Sequence, residues 1–261
     1  AVIAWLKDNL ERPVQMLSTG CSAGGAGSLS NYAHLRRDMA PDHGFLLNDS
    51  GPLFPAGPEG SGLPNLSYPL HTLVRARWGL DEDTMEGISP MQWLASQLPD
   101  FDSTNLGSLY QGLSGRYADD RLGHTHFWQD YNYSRYSYES FYPEIYAAET
   151  PALAEERTRA LWYSDTKSLA MELALLDNFG VYLPNFRALN ASHCSTIVDF
   201  RNGDIQEAGL ELQDFIDNLL DGSGPVINAV EREWSADPAK PVPLLYRVVD
   251  KILSDAMSST P

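Results

Sequence analysis

Apolar and polar positions follow two rhythms along this chain, and the switches between them mark its elements. Residues 1–10 place Val2, Ile3, Leu6 and Leu10 at helical spacing, which predicts an amphipathic helix. Residues 14–17 are an apolar run too short for a helix and predict a strand, and the small-residue stretch at 26–35 predicts the next helix. A second compact apolar run, 44–48, closes at Asp49-Ser50-Gly51; unbroken runs of this kind suit parallel strands covered on both faces. Residues 52–64 are dense in Pro and Gly and predict loop. Short helical stretches near 70–78, 90–98 and 106–112 follow, so that about 52–118 reads as a cap insertion. Residues 121–129 alternate and predict a strand ending at Asp130; residues 131–146 are tyrosine-rich; 150–178 carries a long helical stripe. A strand at 180–189 leads to Asn190-Ala191-Ser192-His193-Cys194, and an amphipathic helix at 205–220 stops at Asp221-Gly222. Strands alternating with helices predict an α/β protein, a mainly parallel sheet in a three-layer sandwich with helices on both faces. This domain is expected to span residues 1–222, and 223–261 is an acidic, Pro-containing C-terminal extension with one more helix near 244–253.

Composition narrows the partners. The 261 residues, 43% of them hydrophobic, suffice for one sizeable core. A net charge of −17 argues against nucleic acid and against an anionic membrane surface. No apolar run approaches the ~20 residues needed to cross a bilayer, so no membrane insertion is expected. Nothing in the pattern fixes an oligomeric state.

Between the first strand and the next helix lies Thr19-Gly20-Cys21-Ser22-Ala23-Gly24-Gly25. Strand, Gly-x-Ser-x-Gly, helix is the arrangement of a nucleophile elbow, in which a sharp turn holds the serine hydroxyl clear for attack. Glycines at 20, 24 and 25 permit the unusual dihedrals and close approaches such a turn needs. The backbone N–H of Ala23, at the helix N-terminus, is placed to stabilise an oxyanion. The plainer alternative is a Gly/Ser-rich turn without chemistry.

A serine nucleophile needs a base and an acid to orient it. Of the six histidines, His193 lies beyond the last predicted strand and before the final helix, where the order Ser…Asp…His puts the base. The acid should follow a strand between Ser22 and His193. Asp130 ranks first, Asp49 second and Asp165, inside a predicted helix, third. Asp130 also reads as a helix cap and Asp49 as turn chemistry. Cys21 adjoins Ser22 and Cys194 adjoins His193, so a meeting of serine and imidazole brings the cysteines together. A Cys21–Cys194 disulfide is therefore expected, worth on the order of 4–5 kcal/mol by chain entropy, and it implies an oxidising compartment. The alternative is two buried free thiols. His124-x-His126 lacks further ligands nearby, so neither metal nor cofactor is expected.

At Leu17-Ser18-Thr19-Gly20-Cys21-Ser22-Ala23-Gly24-Gly25, Leu47-Asn48-Asp49-Ser50-Gly51 and Ser192-His193-Cys194 the chain resembles the pectin acetylesterase/Notum family of serine carboxylesterases. The resemblance covers roughly residues 1–222. It implies an α/β-hydrolase fold, esterase action on O-acyl groups (acetyl groups on a polysaccharide foremost), secretion to an extracellular or periplasmic compartment, and Ser22 and His193 as nucleophile and base. It implies Asp130 as acid, although Asp130-Tyr131-Asn132-Tyr133-Ser134 departs from the family pattern. The family's Gly-rich oxyanion loop has no counterpart, and only 21 residues precede Ser22. The chain is accordingly expected to be N-terminally truncated, lacking early strands, the second oxyanion donor and any export signal. The Cys-Ser…His-Cys pairing also resembles tannases and feruloyl esterases, which implies aromatic acyl esters. Substrates expected on these grounds are an acylated polysaccharide or small molecule. The tyrosines of 131–146, with Trp78 and Trp93, would stack on sugar rings or simply pack a core. An acyltransferase and an inactive binding protein on the same fold are the remaining alternatives.

Overall fold

The computed structural model describes residues 2–84, 87–187, 189–197, 200, 203–231, 248 and 251–252. Among these residues its sheet has five strands, β1 (Gln15–Cys21), β2 (His43–Asp49), β3 (Arg121–Thr125), β4 (Phe179–Leu183) and β5 (Asn228–Val230). They lie side by side in chain order and pair in parallel throughout. Nine α-helices accompany them among the described residues, the first ahead of β1 and the rest between strands: α1 (Val2–Asn9), α2 (Ala23–Met39), α3 (Tyr68–Arg77), α4 (Pro90–Gln97), α5 (Leu109–Arg116), α6 (Tyr131–Tyr138), α7 (Pro143–Tyr146), α8 (Pro151–Leu173) and α9 (Leu212–Asp221). The chain is therefore of the α/β class.

Successive strand residues point to opposite faces, and the core divides accordingly. Leu46 of β2 and Phe179, Val181 and Leu183 of β4 pack with Leu29 of α2 and Trp162 and Leu169 of α8. Leu47 and Tyr182, one position along, pack on the other face with Phe215 and Leu219 of α9. Both faces are covered, which is why the strands read as continuous apolar runs. β1 lies at the edge of the sheet, where Val14 and Leu17 are exposed, as are Val2, Trp5 and Leu10 around α1.

Four expectations change. The strand expected over 180–189 ends at Leu183, because Pro184 has no N–H to continue the ladder. The third strand ends at Thr125 rather than 129, and the chain leaves the sheet before Asp130, which caps α6 instead. Residues 205–210 are not α-helical: Ile205 bridges Leu210 across a 3-10 turn, Gln206–Ala208, with Gly209 at φ +60°, and the α-helix starts after Glu211, whose side chain and Asp214 form a capping box. The sheet also runs past Gly222, since β5 pairs with β4 beyond it. Three residues are too few to carry a readable alternation. The helix expected near 244–253 falls largely outside the described residues.

Under the elbow a buried polar chain crosses the core. Tyr110 Oη accepts from Asn48 Nδ2 and from the Leu53 N–H, which leaves its own proton for His124 Nδ1 at 3.4 Å. His124 Nε2 lies 2.7 Å from His126 Nδ1, and His126 Nε2 lies 3.1 Å from Thr166 Oγ1. The direction is thus set from one end: each histidine accepts at Nδ1 and donates at Nε2. Burial pushes His124 down to about 3 and His126 well below the ordinary histidine range, so both stay neutral.

A base whose folded pKa is depressed contributes stability above its unfolded value, near 6.5, and loses it as pH falls toward the folded one. Replacing His126 by Gln removes this group's titration along with its hydrogen bonds. Urea midpoints should therefore show His126→Gln well below wild type at pH 7, with the gap narrowing toward pH 4. A gap that widens with acid would contradict the neutral-histidine assignment.

Candidate functional site

Because every strand runs the same way, the loops that follow them collect at one end of the sheet, and ligands in open α/β sheets bind there. Ser22 follows β1, Asp49 ends β2, Asp130 follows β3 and His193 follows β4.

Ser22 has φ 59° and ψ −126°, a left-handed conformation that costs a non-glycine residue on the order of 1–3 kcal/mol. It is held from both sides. Its N–H donates to the Asp49 carbonyl at 2.8 Å, and its own carbonyl accepts from the Ala26 N–H at 3.1 Å in the first turn of α2. The flanking glycines are required by space: a Cβ at Gly20 would strike the Gly24 carbonyl, and one at Gly25 the Asp49 carbonyl and Asn48 side chain. Ala23 opens α2, so its N–H is among the first-turn donors without an intrahelical partner.

His193 Nδ1 lies 2.8 Å from Asp130 Oδ2, and both side chains are buried. The other carboxylate oxygen, Oδ1, accepts from the Asn132 and Tyr133 N–H groups at 3.1 and 2.8 Å, capping α6. Asp130 is therefore at once a helix cap and the partner of the imidazole. Burial raises its pKa, partly offset by His193 and the two backbone donors. With Nδ1–H committed to Asp130, the neutral ring carries its lone pair on Nε2. Ser22, Ala23 and His193 line one cavity of about 590 Å³, closed on its other sides by α2, by the cap helices α3 and α4 and by Asn132 and Tyr133.

His193 sits on a strained loop. Asn190, Ala191, Ser192 and Cys194 all have φ between 50° and 63°, and none is glycine. Side-chain bonds compensate. The Ser192 hydroxyl donates to the Arg187 carbonyl and accepts from its N–H, at 2.9 and 3.0 Å. The Cys194 N–H donates to Ser50 Oγ at 3.1 Å. Asp49 accepts from the Ser195 N–H and hydroxyl, the Thr196 N–H and hydroxyl, and the Ser50 hydroxyl, all at 2.7–2.9 Å. The buried Arg187 guanidinium donates to the Ser195 and Cys194 carbonyls and stacks over Phe127. Cys21 and Cys194 are joined as a disulfide, Cα atoms 5.6 Å apart, tying the elbow to the base loop.

The structure thus brings together Cys21, Ser22, Ala23, Asp49, Asp130, His193 and Cys194. Asp49, weighed as an alternative acid, is committed to the base loop's backbone rather than to the imidazole. Asp165 lies apart, buried on α8 against Tyr138 Oη at 2.8 Å, and burial raises its pKa to about 6. Trp93 is not available for stacking on a sugar, being buried between His34 and Arg37. Tyr133 and Tyr138 are buried, whereas Trp78 and Tyr136 are exposed at the cavity. The role of Arg187 was missed; the available signal was a lone cation within the apolar run 180–189. The ligand atoms of Cys21, His193 and Cys194 lie within 4.8 Å of one another, but the disulfide leaves no thiolate to bind a metal.

Asp49→Ala leaves four donors without their acceptor, two buried on Ser195 and two part-buried on Thr196. It should lower stability by about 2–4 kcal/mol and impair any His193-dependent reaction through a displaced loop. Urea denaturation beside ester kinetics checks this, since a triad acid would show a large rate loss at nearly unchanged stability. No family model, curated protein or solved structure matches this chain.

Proposed function

We propose that the chain is a serine carboxylesterase of the α/β-hydrolase type, acting on O-acyl esters through Ser22, His193 and Asp130. The observation that carries this is the His193–Asp130 pair at 2.8 Å, on a buried imidazole that shares a cavity wall with a serine at φ 59°. The order of functional groups along the chain, nucleophile then acid then base, each after a successive or later parallel strand, agrees with that type.

The chemistry follows from the groups present. Ser22 Oγ attacks the ester carbonyl carbon while its proton passes to His193 Nε2, and Asp130 stabilises the imidazolium through Nδ1–H. The carbonyl oxygen becomes an oxyanion facing the Ala23 N–H and the positive end of α2. Collapse of the tetrahedral intermediate breaks the C–O bond, and the alcohol leaves with the proton from Nε2. A water molecule then gives its proton to Nε2 as it attacks the acyl-enzyme carbonyl, and collapse of the second tetrahedral intermediate releases the acid while Nε2 returns that proton to Ser22 Oγ. The imidazole needs no external tautomer control, because Asp130 supplies it.

Exposed rings at the cavity edge support a cyclic alcohol half. Trp78 and Tyr136 both line the cavity and present open faces, as a sugar-stacking rim would. A saccharide ester of the pectin acetylesterase/Notum kind is the proposed substrate class. The disulfide is compatible with an extracellular or periplasmic location, and no helix among the described residues is long and apolar enough to cross a membrane.

Two substitutions test the assignment with p-nitrophenyl esters. Ser22→Ala should remove the acyl-enzyme burst and reduce turnover to background. Asp130→Asn should lower kcat by on the order of 10⁴ with little change in KM, because the imidazole is then held in the wrong tautomer. Turnover that persists in Ser22→Ala would refute the nucleophile, and an unchanged kcat in Asp130→Asn would remove that carboxylate from the mechanism.

A further inference from the structure

The disulfide and the imidazole belong to one cluster. The sulfur atoms of Cys21 and Cys194 and a ring nitrogen of His193 all lie within 4.8 Å of one another. A zinc ion held by two thiolates and an imidazole has Zn–S bonds of about 2.3 Å and a Zn–N bond of about 2.0 Å, so its tetrahedral ligand atoms stand roughly 3.4–3.8 Å apart. Cysteines whose Cα atoms are 5.6 Å apart reach that spacing by side-chain rotation once the sulfur–sulfur bond is open.

The cluster outlasts the bond, because other contacts hold both segments. The Ser22 N–H is tied to the Asp49 carbonyl, and Ser195 and Thr196 are tied to the Asp49 carboxylate. The Cys194 N–H is held by Ser50 Oγ and the Cys194 carbonyl by Arg187. Three ligands gathered in advance leave little ordering for an ion to impose. The imidazole is also set up as a metal ligand: with Asp130 on Nδ1 at 2.8 Å, Nε2 carries the lone pair. A carboxylate on the far nitrogen is what orients a metal-bound histidine and raises its basicity. Cys21 and Ser22 are only half-buried and His193 lines the cavity, so an ion has a way in from that side and water or Ser22 Oγ can take the fourth position. Two sulfurs and one nitrogen select zinc over magnesium or calcium.

We propose that Cys21, Cys194 and His193 form a redox-gated zinc site: the disulfide form is metal-free, and the dithiol form captures one Zn²⁺ that silences the active site. A dithiol reductant opens the gate, its own thiols becoming a disulfide while Cys21 and Cys194 each gain an electron and a proton. Zinc then displaces both thiol protons as it binds the thiolates. Coordination through Nε2 occupies the lone pair that receives the Ser22 proton, and coordination through Nδ1 would displace Asp130, so either nitrogen stops the reaction. The silencing rests on the esterase reading; zinc capture does not.

The test uses the full chain, reduced with dithiothreitol, desalted without oxygen and titrated with Co²⁺ as a spectroscopic probe. One Co²⁺ per chain should bind, with a sulfur-to-cobalt charge-transfer band and the visible bands of a tetrahedral ion, and Zn²⁺ should displace it. The oxidised protein should show neither band. Cys21→Ser and His193→Ala should weaken binding by about a hundredfold, and Asp130→Asn by about tenfold, as loss of a carboxylate behind a ligand does. Zn²⁺ should abolish p-nitrophenyl acetate hydrolysis by the reduced protein in step with occupancy, a chelator should restore it, and the oxidised protein should be unaffected. Circular dichroism follows the fold throughout. Reduced protein that binds no Co²⁺, binds it equally well without Cys21 or His193, or unfolds without zinc restoring it would overturn the proposal, as would equal inhibition of the oxidised form. Zinc capture by a chain whose oxidised form turns over no ester would sink the esterase reading and leave the metal site standing. Ester turnover by the oxidised form with no metal uptake on reduction would do the reverse.

Discussion

His193 is carried by a loop that cannot hold its own shape. Four of the five residues from 190 to 194 have left-handed backbone, none is glycine, and such conformations persist only where the surroundings over-determine them. The Asp49 carboxylate is the strongest of those surroundings, gathering two backbone N–H groups and two hydroxyls from residues 195 and 196 onto the end of β2. The same residue's carbonyl receives the Ser22 N–H. One aspartate therefore references both the elbow and the base loop to a single central strand. The disulfide adds a covalent tie between the same two segments, and Arg187 closes the loop from beneath through two carbonyls. Serine and imidazole are positioned by this shared anchor, each segment being too strained or too irregular to find its place alone.

The consequences reach the cap. Gly25 lies against Asn48 and the Asp49 carbonyl, Asn48 is bonded to Tyr110, and Tyr110 opens the histidine chain that ends on α8. The first turn of α2 is thus fixed against β2 by close backbone approach, and β2 against α5 and α8 by neutral hydrogen bonds in the core. A cavity bounded by α2 on one side and α3 and α4 on the other inherits that rigidity.

The parallel sheet and most helices were legible in the sequence because burial on both faces leaves unbroken apolar runs between helical stripes. The elbow was legible because Gly20 and Gly25 satisfy a local steric requirement at fixed spacing from Ser22, whereas Gly24 has open space around it, and the disulfide because Cys21 and Cys194 flank the two residues expected to meet. What stayed hidden depends on three dimensions. Strand β3 ends at Thr125 although 126–129 continue an apolar pattern, since those residues are buried in a loop against α8 rather than in the sheet. β5 is three residues long. Asp49 looked like a possible acid or a turn residue, and only the fold shows which donors converge on it. His71 was one of six histidines, and nothing in a linear pattern marks a buried ring whose Nδ1 lacks a partner.

The central claim is that Ser22 is a nucleophile activated by the Asp130–His193 pair. Labelling with an alkyl fluorophosphonate, followed by peptide mass spectrometry, tests it most directly because the probe reports the nucleophile without presupposing a substrate. A single phosphonyl adduct is expected on the peptide containing Ser22, absent in Ser22→Ala and formed far more slowly in Asp130→Asn. An intact, folded protein that takes up no label, or takes it up on another residue with Ser22 unmodified, would contradict the account.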